Sequence, residues 1–64
     1  DEAVDQIAAY LAQNKFLYLT DKSDASEIYE QFRMSKKTFK QAIGKLYKQR
    51  KIRLFDDKIA RMDE

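Results

Sequence analysis

The sequence predicts an α+β fold in which two closely spaced helices are followed by a β-hairpin. Apolar residues recur at helical spacing in three segments, and only two residues separate the second segment from the cap of the third. Near the carboxyl end, two strand-like stretches flank a pair of aspartates. The chain has 64 residues, so we expect one domain, residues 1–64, near the lower size limit for a protein stabilised by its own core.

The first two elements are a helix and a short strand. The helix is predicted over residues 2–14, with Asn14 as a left-handed stop. Residues 16–20 are rich in aromatic side chains and alternate in polarity, which predicts a strand. The apolar residues on one side of the predicted helix are Val4, Ile7, Ala8 and Leu11.

A second, short helix is predicted to end at Phe32. Asp24 and Glu27 have the spacing of a capping box, with an aspartate in place of the usual serine or threonine. The residues expected to be buried by this helix are Ala25, Ile28, Tyr29 and Phe32. Because only residues 33 and 34 precede the next cap, the two helices are a helix-turn-helix candidate.

The third helix begins at Ser35, whose hydroxyl can accept from a free backbone N–H of the first turn. Met34 and Phe39 have the spacing of a hydrophobic staple. The apolar stripe of this helix is expected to face the core, and it consists of Phe39, Ala42, Ile43, Leu46 and Tyr47.

The opposite face of the third helix is cationic. The stretch from Arg33 to Arg53 holds nine of the thirteen basic residues and none of the eleven acidic ones. The net charge of +2 is therefore the sum of +9 in this stretch and −7 in the rest of the chain. Such segregation is typical of a nucleic-acid-binding protein, and the alternative is a solvated, lysine-rich helix. The residues that point outward at 100° per residue are Lys37, Gln41, Gly44 and Lys48, flanked by Lys40, Lys45 and Thr38.

Two details favour a functional role for this face. Lys36 and Lys37 lie in the first turn, where the helix dipole disfavours each cation by about 0.3–1 kcal/mol, but where a phosphate can bind. Gly44 is the only glycine in the chain, and in mid-helix it costs roughly 1 kcal/mol relative to alanine. Its missing side chain favours either the close approach of a ligand or tight packing within the protein.

A β-hairpin is predicted after the third helix, with strands at residues 52–55 and 58–62. Asp56 and Asp57 form its turn, which lacks the glycine that a positive φ would favour. The order of helix, strand, helix, turn, helix and hairpin is that of a winged helix. Most of the eight tyrosines and phenylalanines are expected in the core, with Tyr18 and Phe55 the best candidates for exposed rings.

Composition excludes several chemistries. The chain has no cysteine and no histidine, so it offers no thiolate or imidazole for catalysis or metal binding. Its paired carboxylates, Asp56–Asp57 and Asp21 with Asp24, are interpreted as turn and cap residues. We therefore expect no enzyme, metal or cofactor, and no small-molecule substrate. No run of eighteen apolar residues exists, so no membrane span is expected.

Two residue strings of the chain are specific enough to suggest a family: Met-Ser-Lys-Lys from Met34 and Ala-Ile-Gly-Lys-Leu-Tyr-Lys from Ala42. They occur together with Leu19-Thr-Asp-Lys-Ser23, Ile28, Phe32, Phe39-Lys40 and Ile52. Through these residues, the chain resembles the C-terminal winged-helix domain of the CvfB/YitL proteins over roughly residues 17–54. Where the family has Phe-Gly-Met-Ser, this chain has Arg33 in place of the glycine, a costly change if that residue is left-handed.

The resemblance implies a C-terminal piece of a bacterial, cytoplasmic protein with upstream S1-type RNA-binding domains. It further implies RNA binding in post-transcriptional control, including that of virulence factors. The predicted nucleic-acid-binding residues are Arg33, Lys36, Lys37, Lys40, Gln41, Gly44, Lys45, Lys48 and Lys51. Two alternatives stay open: sequence-specific DNA binding, in which Lys37 and Gln41 read base edges, and docking on an acidic protein surface.

Overall fold

The structure, a computed structural model, describes residues 1–62 and has helices and a sheet in the predicted order. In the three-stranded antiparallel sheet, the last strand lies between the other two, which confirms the α+β class. The last two residues of the predicted domain 1–64 lie outside the described part. The elements are α1 (Glu2–Gln13), β1 (Phe16–Leu17), α2 (Ala25–Phe32), α3 (Lys36–Lys48), β2 (Ile52–Leu54) and β3 (Ile59–Arg61).

Helix α1 begins at Asp1, whose carboxylate accepts from the backbone N–H groups of Ala3 at 3.0 Å and Val4 at 3.4 Å. The prediction of a left-handed stop at Asn14 is wrong, because Asn14 is extended, with φ −136° and ψ 119°. The extended conformation leads the chain directly into the sheet, where the Arg61 backbone N–H donates to the Lys15 carbonyl at 2.8 Å.

A side chain from β3 completes the carboxyl end of α1. The guanidinium of Arg61 donates from Nη1 to the carbonyls of Leu11 at 2.8 Å and Ala12 at 3.2 Å. These carbonyls belong to the last turn of the helix, where no backbone N–H of the same helix is available to donate to them. Arg61 therefore joins α1 to the sheet through charge-assisted hydrogen bonds.

Helix α2 differs from the prediction in its cap and in its buried face. Asp24 precedes α2 as predicted, but its side chain makes no capping hydrogen bond. The preceding loop is held instead by Thr20, whose N–H donates to Ser23 Oγ at 2.9 Å. Of the four residues expected to be buried, Ile28 and Phe32 are, whereas Ala25 and Tyr29 are exposed. Eight residues make barely two turns, so α2 covers the core with one narrow stripe.

The turn from α2 to α3 contains a left-handed residue at position 33, where the resembling family has glycine and this chain has arginine. Arg33 is left-handed, with φ 59° and ψ 34°, and its N–H donates to the Tyr29 carbonyl at 2.7 Å. Ser35 caps α3 as predicted by accepting from the Thr38 N–H at 3.1 Å. The two staple residues on either side of the cap are both buried, as the spacing predicts.

Helix α3 ends in a second left-handed arginine. Arg50 has φ 60°, and its N–H donates to the Tyr47 carbonyl, while the Lys51 N–H donates to the Leu46 carbonyl, both at 3.0 Å. This pair of bonds is a Schellman motif, whose left-handed position is usually glycine. The sequence analysis missed it because arginine carries no signal for this conformation.

The hairpin forms without the glycine that its sequence lacks. Neither Asp56 nor Asp57 has a positive φ, and the turn is closed by the Phe55 N–H donating to the Lys58 carbonyl at 2.9 Å. In the sheet, Leu54 and Leu17 both pair with Ile59, and Leu17 and Ile59 are buried, whereas Leu54 is exposed. The strands are shorter than predicted, and only two residues of the expected strand 16–20 pair.

The core is built around α3. Phe39 is completely buried and stacks on Phe32 with 6.1 Å between ring centroids, and Tyr10 packs edge-on against Phe32 at 5.8 Å. The expectation that most aromatic rings are buried is wrong, because so short a chain encloses little volume. Tyr18 and Phe55 are exposed as predicted, and the other exposed rings are those of Phe16, Tyr29 and Tyr47.

Replacing Arg50 with glycine is expected to raise the free energy of unfolding by about 0.5–1 kcal/mol, because glycine adopts positive φ without a steric penalty. Arg33→Gly should give a smaller gain. It also removes the contact of the Arg33 guanidinium with the Tyr29 ring at 5.3 Å, worth about 0.5 kcal/mol at an exposed site. Urea unfolding followed by circular dichroism measures both.

The matched control is Gln49→Gly, because Gln49 is right-handed, with φ −80°. This variant should lose roughly 0.5–1 kcal/mol. A loss of stability in Arg50→Gly would contradict the assignment of strain to residue 50.

Arg61→Met keeps the apolar stem of the side chain but removes its hydrogen bonds to α1. We expect a loss of about 1–2 kcal/mol in the free energy of unfolding, since hydrogen bonds from charged donors are strong. Arg53→Met is the control on the neighbouring strand, where the arginine is exposed. It should change stability by less than about 0.5 kcal/mol, and equal losses in the two variants would disprove the capping role.

Candidate nucleic-acid interface

Helix α3 is oriented by its buried stripe. Phe39, Ala42, Ile43 and Leu46 are buried, as predicted, and the outward-facing residues on the opposite side are exposed. Tyr47 is the exception, since its ring is 54% exposed. At 100° per residue, Tyr47 falls between Ile43 and Lys40 at the edge of the stripe, where the core does not cover it.

Seven of the nine predicted residues form one continuous surface, which we call the cationic strip. Two shallow depressions run along α3, and both are bordered by Lys40 and Gln41. The first depression is completed by Lys36 and Lys37, and the second by Gly44, Lys45 and Lys48. At about 1.5 Å per residue, the strip is roughly 18 Å long.

The other two predicted residues lie apart from the cationic strip. Arg33 borders a depression at the start of α1, beside Asp1 and Glu2. Lys51 borders a different depression, which it shares with Leu11 of α1 and other residues near the carboxyl end. Neither Arg33 nor Lys51 borders the two depressions of the strip.

Most of the strip's charge is not neutralised by the protein. Within residues 1–62, no carboxylate forms an ion pair with Lys36, Lys37, Lys40 or Lys48. Lys45 is different, because its ammonium pairs with the Asp1 carboxylate. Four like charges on one helix repel each other, so the arrangement favours a bound anion.

Gly44 lies in the middle of the strip and borders open space. Apart from its sequence neighbours and the adjacent backbone of α3, no heavy atom of the described residues lies within 4 Å of a Cβ atom added there. Tight packing within the described chain, one of the two explanations of this glycine, is therefore wrong. An approaching ligand would reach the helix backbone most closely at this position.

The sequence analysis missed a small cavity beside the strip. It has a volume of about 200 Å³ and lies between α3, the hairpin and the loop that follows β1. Its lining includes Lys40 and Gly44 of the strip, together with Asp21, Tyr47, Leu54 and Phe55. The position of Tyr47 at the edge of the apolar stripe could have indicated the cavity. Helical periodicity alone, however, assigned this ring to the core.

The hairpin has one exposed arginine, Arg53 on β2, but its tip and last strand add little free positive charge. The Lys58 ammonium is 3.4 Å from the Asp57 carboxylate and lies over the rings of Phe55 at 5.1 Å and Phe16 at 5.7 Å. Arg61 is bound to α1. In the described part of the chain, no helix is long and apolar enough to span a membrane, and no cluster of three potential metal-binding side chains occurs.

The three helices, the central third helix with its exposed face and the hairpin that follows it define a winged-helix domain. The chain belongs to the family of CvfB-like winged helix domains, whose model matches residues 5–60. This match confirms the resemblance found in the sequence.

A solved structure is similar over almost the whole domain. It is the crystal structure of a multidomain protein with nucleic acid binding domains from Streptococcus pneumoniae TIGR4, and its sequence is 33% identical. The TM-score is 0.93, and the similarity covers 97% of this chain but 22% of the other. No curated protein matches the chain significantly.

Gly44→Ala tests the open space at Gly44. We expect the free energy of unfolding to rise by about 1 kcal/mol, because alanine favours the helix and its methyl group meets nothing. The reverse substitution at an exposed site of α1, Ala9→Gly, should lose a similar amount. Thermal unfolding measures both, and a destabilised Gly44→Ala variant would mean that the position is not open.

Proposed function

We propose that this domain binds single-stranded RNA through the cationic strip of α3. The observation that carries the proposal is the set of four exposed or half-exposed lysines on one helix face, none of which pairs with a carboxylate within residues 1–62. Lysine ammonium groups bind phosphate oxygens as point charges, and each contact releases condensed counterions from the strand. A strip roughly 18 Å long reaches several consecutive phosphates.

Features beside the strip favour a single strand over a duplex. The hairpin tip carries the exposed carboxylates of Asp56 and Asp57, which would repel the backbone of a duplex in contact with both α3 and the hairpin. Exposed aromatic rings lie on the same side, and unpaired bases stack on such rings, whereas paired bases do not offer their faces.

We further propose that the domain acts as one module of a longer bacterial, cytoplasmic protein with S1-type RNA-binding domains. Membership of the CvfB-like family supports this, as does the solved multidomain protein described as having nucleic acid binding domains. The role of the whole protein would be post-transcriptional regulation, including that of virulence factors. The proposal includes no catalytic step, cofactor or small-molecule substrate.

Reversing two charges of the strip tests the proposal. Lys37→Glu combined with Lys48→Glu should nearly abolish binding to single-stranded RNA, while Lys22→Glu, on the loop before α2, should have little effect. For the unmodified protein, affinity should fall with salt at a log–log slope of about −3 for four phosphate contacts. Fluorescence anisotropy measures both, and we expect micromolar or weaker affinity from so small a surface.

A charge-matched comparison separates local contacts from net charge. Lys37→Gln with Lys48→Gln removes two positive charges from the strip, and Ala9→Glu with Gln13→Glu adds two negative charges on the exposed side of α1. Only the first pair should weaken binding. Stronger binding to duplex DNA than to RNA would favour an operator-binding domain, and absence of binding to any nucleic acid at low salt would favour docking on an acidic protein.

A further inference from the structure

The cavity beside the cationic strip has the size and lining of a site for one aromatic ring system. An apolar cavity of about 150 Å³ holds a benzene molecule, whereas drug-sized ligands need about 300 Å³ or more. This cavity, at about 200 Å³, lies between those limits. Three exposed apolar side chains border it, with 54% of Tyr47, 47% of Leu54 and 45% of Phe55 accessible to solvent.

We propose that the cavity holds one unpaired nucleobase of the strand whose phosphates lie on the cationic strip. This inference rests on the proposed function and specifies a base site within it. The geometry that supports it is the shared border, since Lys40 and Gly44 line both the cavity and the strip. Because Gly44 has no side chain and open space above it, a base can cross α3 there while its phosphate stays with Lys40.

The charges at the cavity distinguish a base from a phosphate. Asp21 of the loop that follows β1 also lines the cavity, and a carboxylate there would repel a phosphate group. The same carboxylate accepts a hydrogen bond from an exocyclic amino group, such as that of cytosine. The site therefore prefers cytosine to uracil, which presents a carbonyl oxygen at that position.

A bulky side chain at Gly44 tests the base site without removing a charge. Gly44→Leu should fill the entrance and lower affinity for single-stranded oligocytidine RNA by about 5- to 150-fold, the range expected for one lost stacked base. Binding to inorganic polyphosphate, a polyanion without bases, should fall much less, because Gly44 contributes no charge to the strip. Ala9→Leu adds the same side chain on the far side of α1 and should change neither affinity.

The second arm compares two pyrimidines. The unmodified protein should bind oligocytidine more tightly than oligouridine, and Asp21→Asn should remove this preference, because an amide can present either a donor or an acceptor. Chemical shifts of Tyr47 and Phe55 should move with oligocytidine and not with polyphosphate.

The base site is overturned if Gly44→Leu binds oligocytidine as well as the unmodified protein does, or if it loses polyphosphate binding equally. Equal affinities of the unmodified protein for the two pyrimidines would overturn the role of Asp21. If the unmodified protein binds neither RNA nor polyphosphate at low salt, the proposed function fails together with the base site. That result differs from failure of the base site alone, in which the strip still binds both anions.

Discussion

Burial of the apolar stripe of α3 is the interaction on which the rest of the domain depends. Phe39 and Leu46 are almost completely removed from water, and burial of such side chains is worth about 1.5–3 kcal/mol each. Within residues 1–62, α3 buries four apolar side chains, α1 buries three and α2 two, and each strand has at most three residues. Because this stripe must face inward, the opposite side of the same helix faces water, and the lysines are exposed as a consequence of core packing.

The cationic strip works against stability. Its lysines repel one another, Lys36 and Lys37 oppose the dipole at the start of α3, and Gly44 weakens the middle of the helix. Within residues 1–62 only Lys45 of the strip has an acidic partner, although the chain has almost as many acids as bases. In the described part of the chain, the acids lie on α1 and its cap, on α2 and the loop before it, and at the hairpin tip. A bound polyanion would relieve the repulsion, so the same arrangement that costs folding energy would strengthen the proposed binding.

Features set by local chemistry could be predicted from the sequence. The Ser35 cap depends on three neighbouring residues, and the stripe from Phe39 to Leu46 depends on helical periodicity. Features set by distant parts of the chain could not. Asn14 is extended because the residues that follow it pair with β3, which lies more than forty residues later in the sequence. Tyr47 is exposed because it lies at the edge of the stripe and borders the cavity between α3 and the hairpin. Periodicity places a residue on a face, but it does not say how far the partner element reaches.

The left-handed Arg50 helps to position two walls of the cavity. Its positive φ reverses the chain immediately after α3, so that β2 already begins at Ile52. Leu54 at the end of β2 therefore lines the cavity together with Tyr47 of α3, and the third wall is the loop that follows β1. Because a tight turn joins the first two walls, the proposed base site would be largely formed before a ligand binds, and little conformational entropy would be lost when a base enters it.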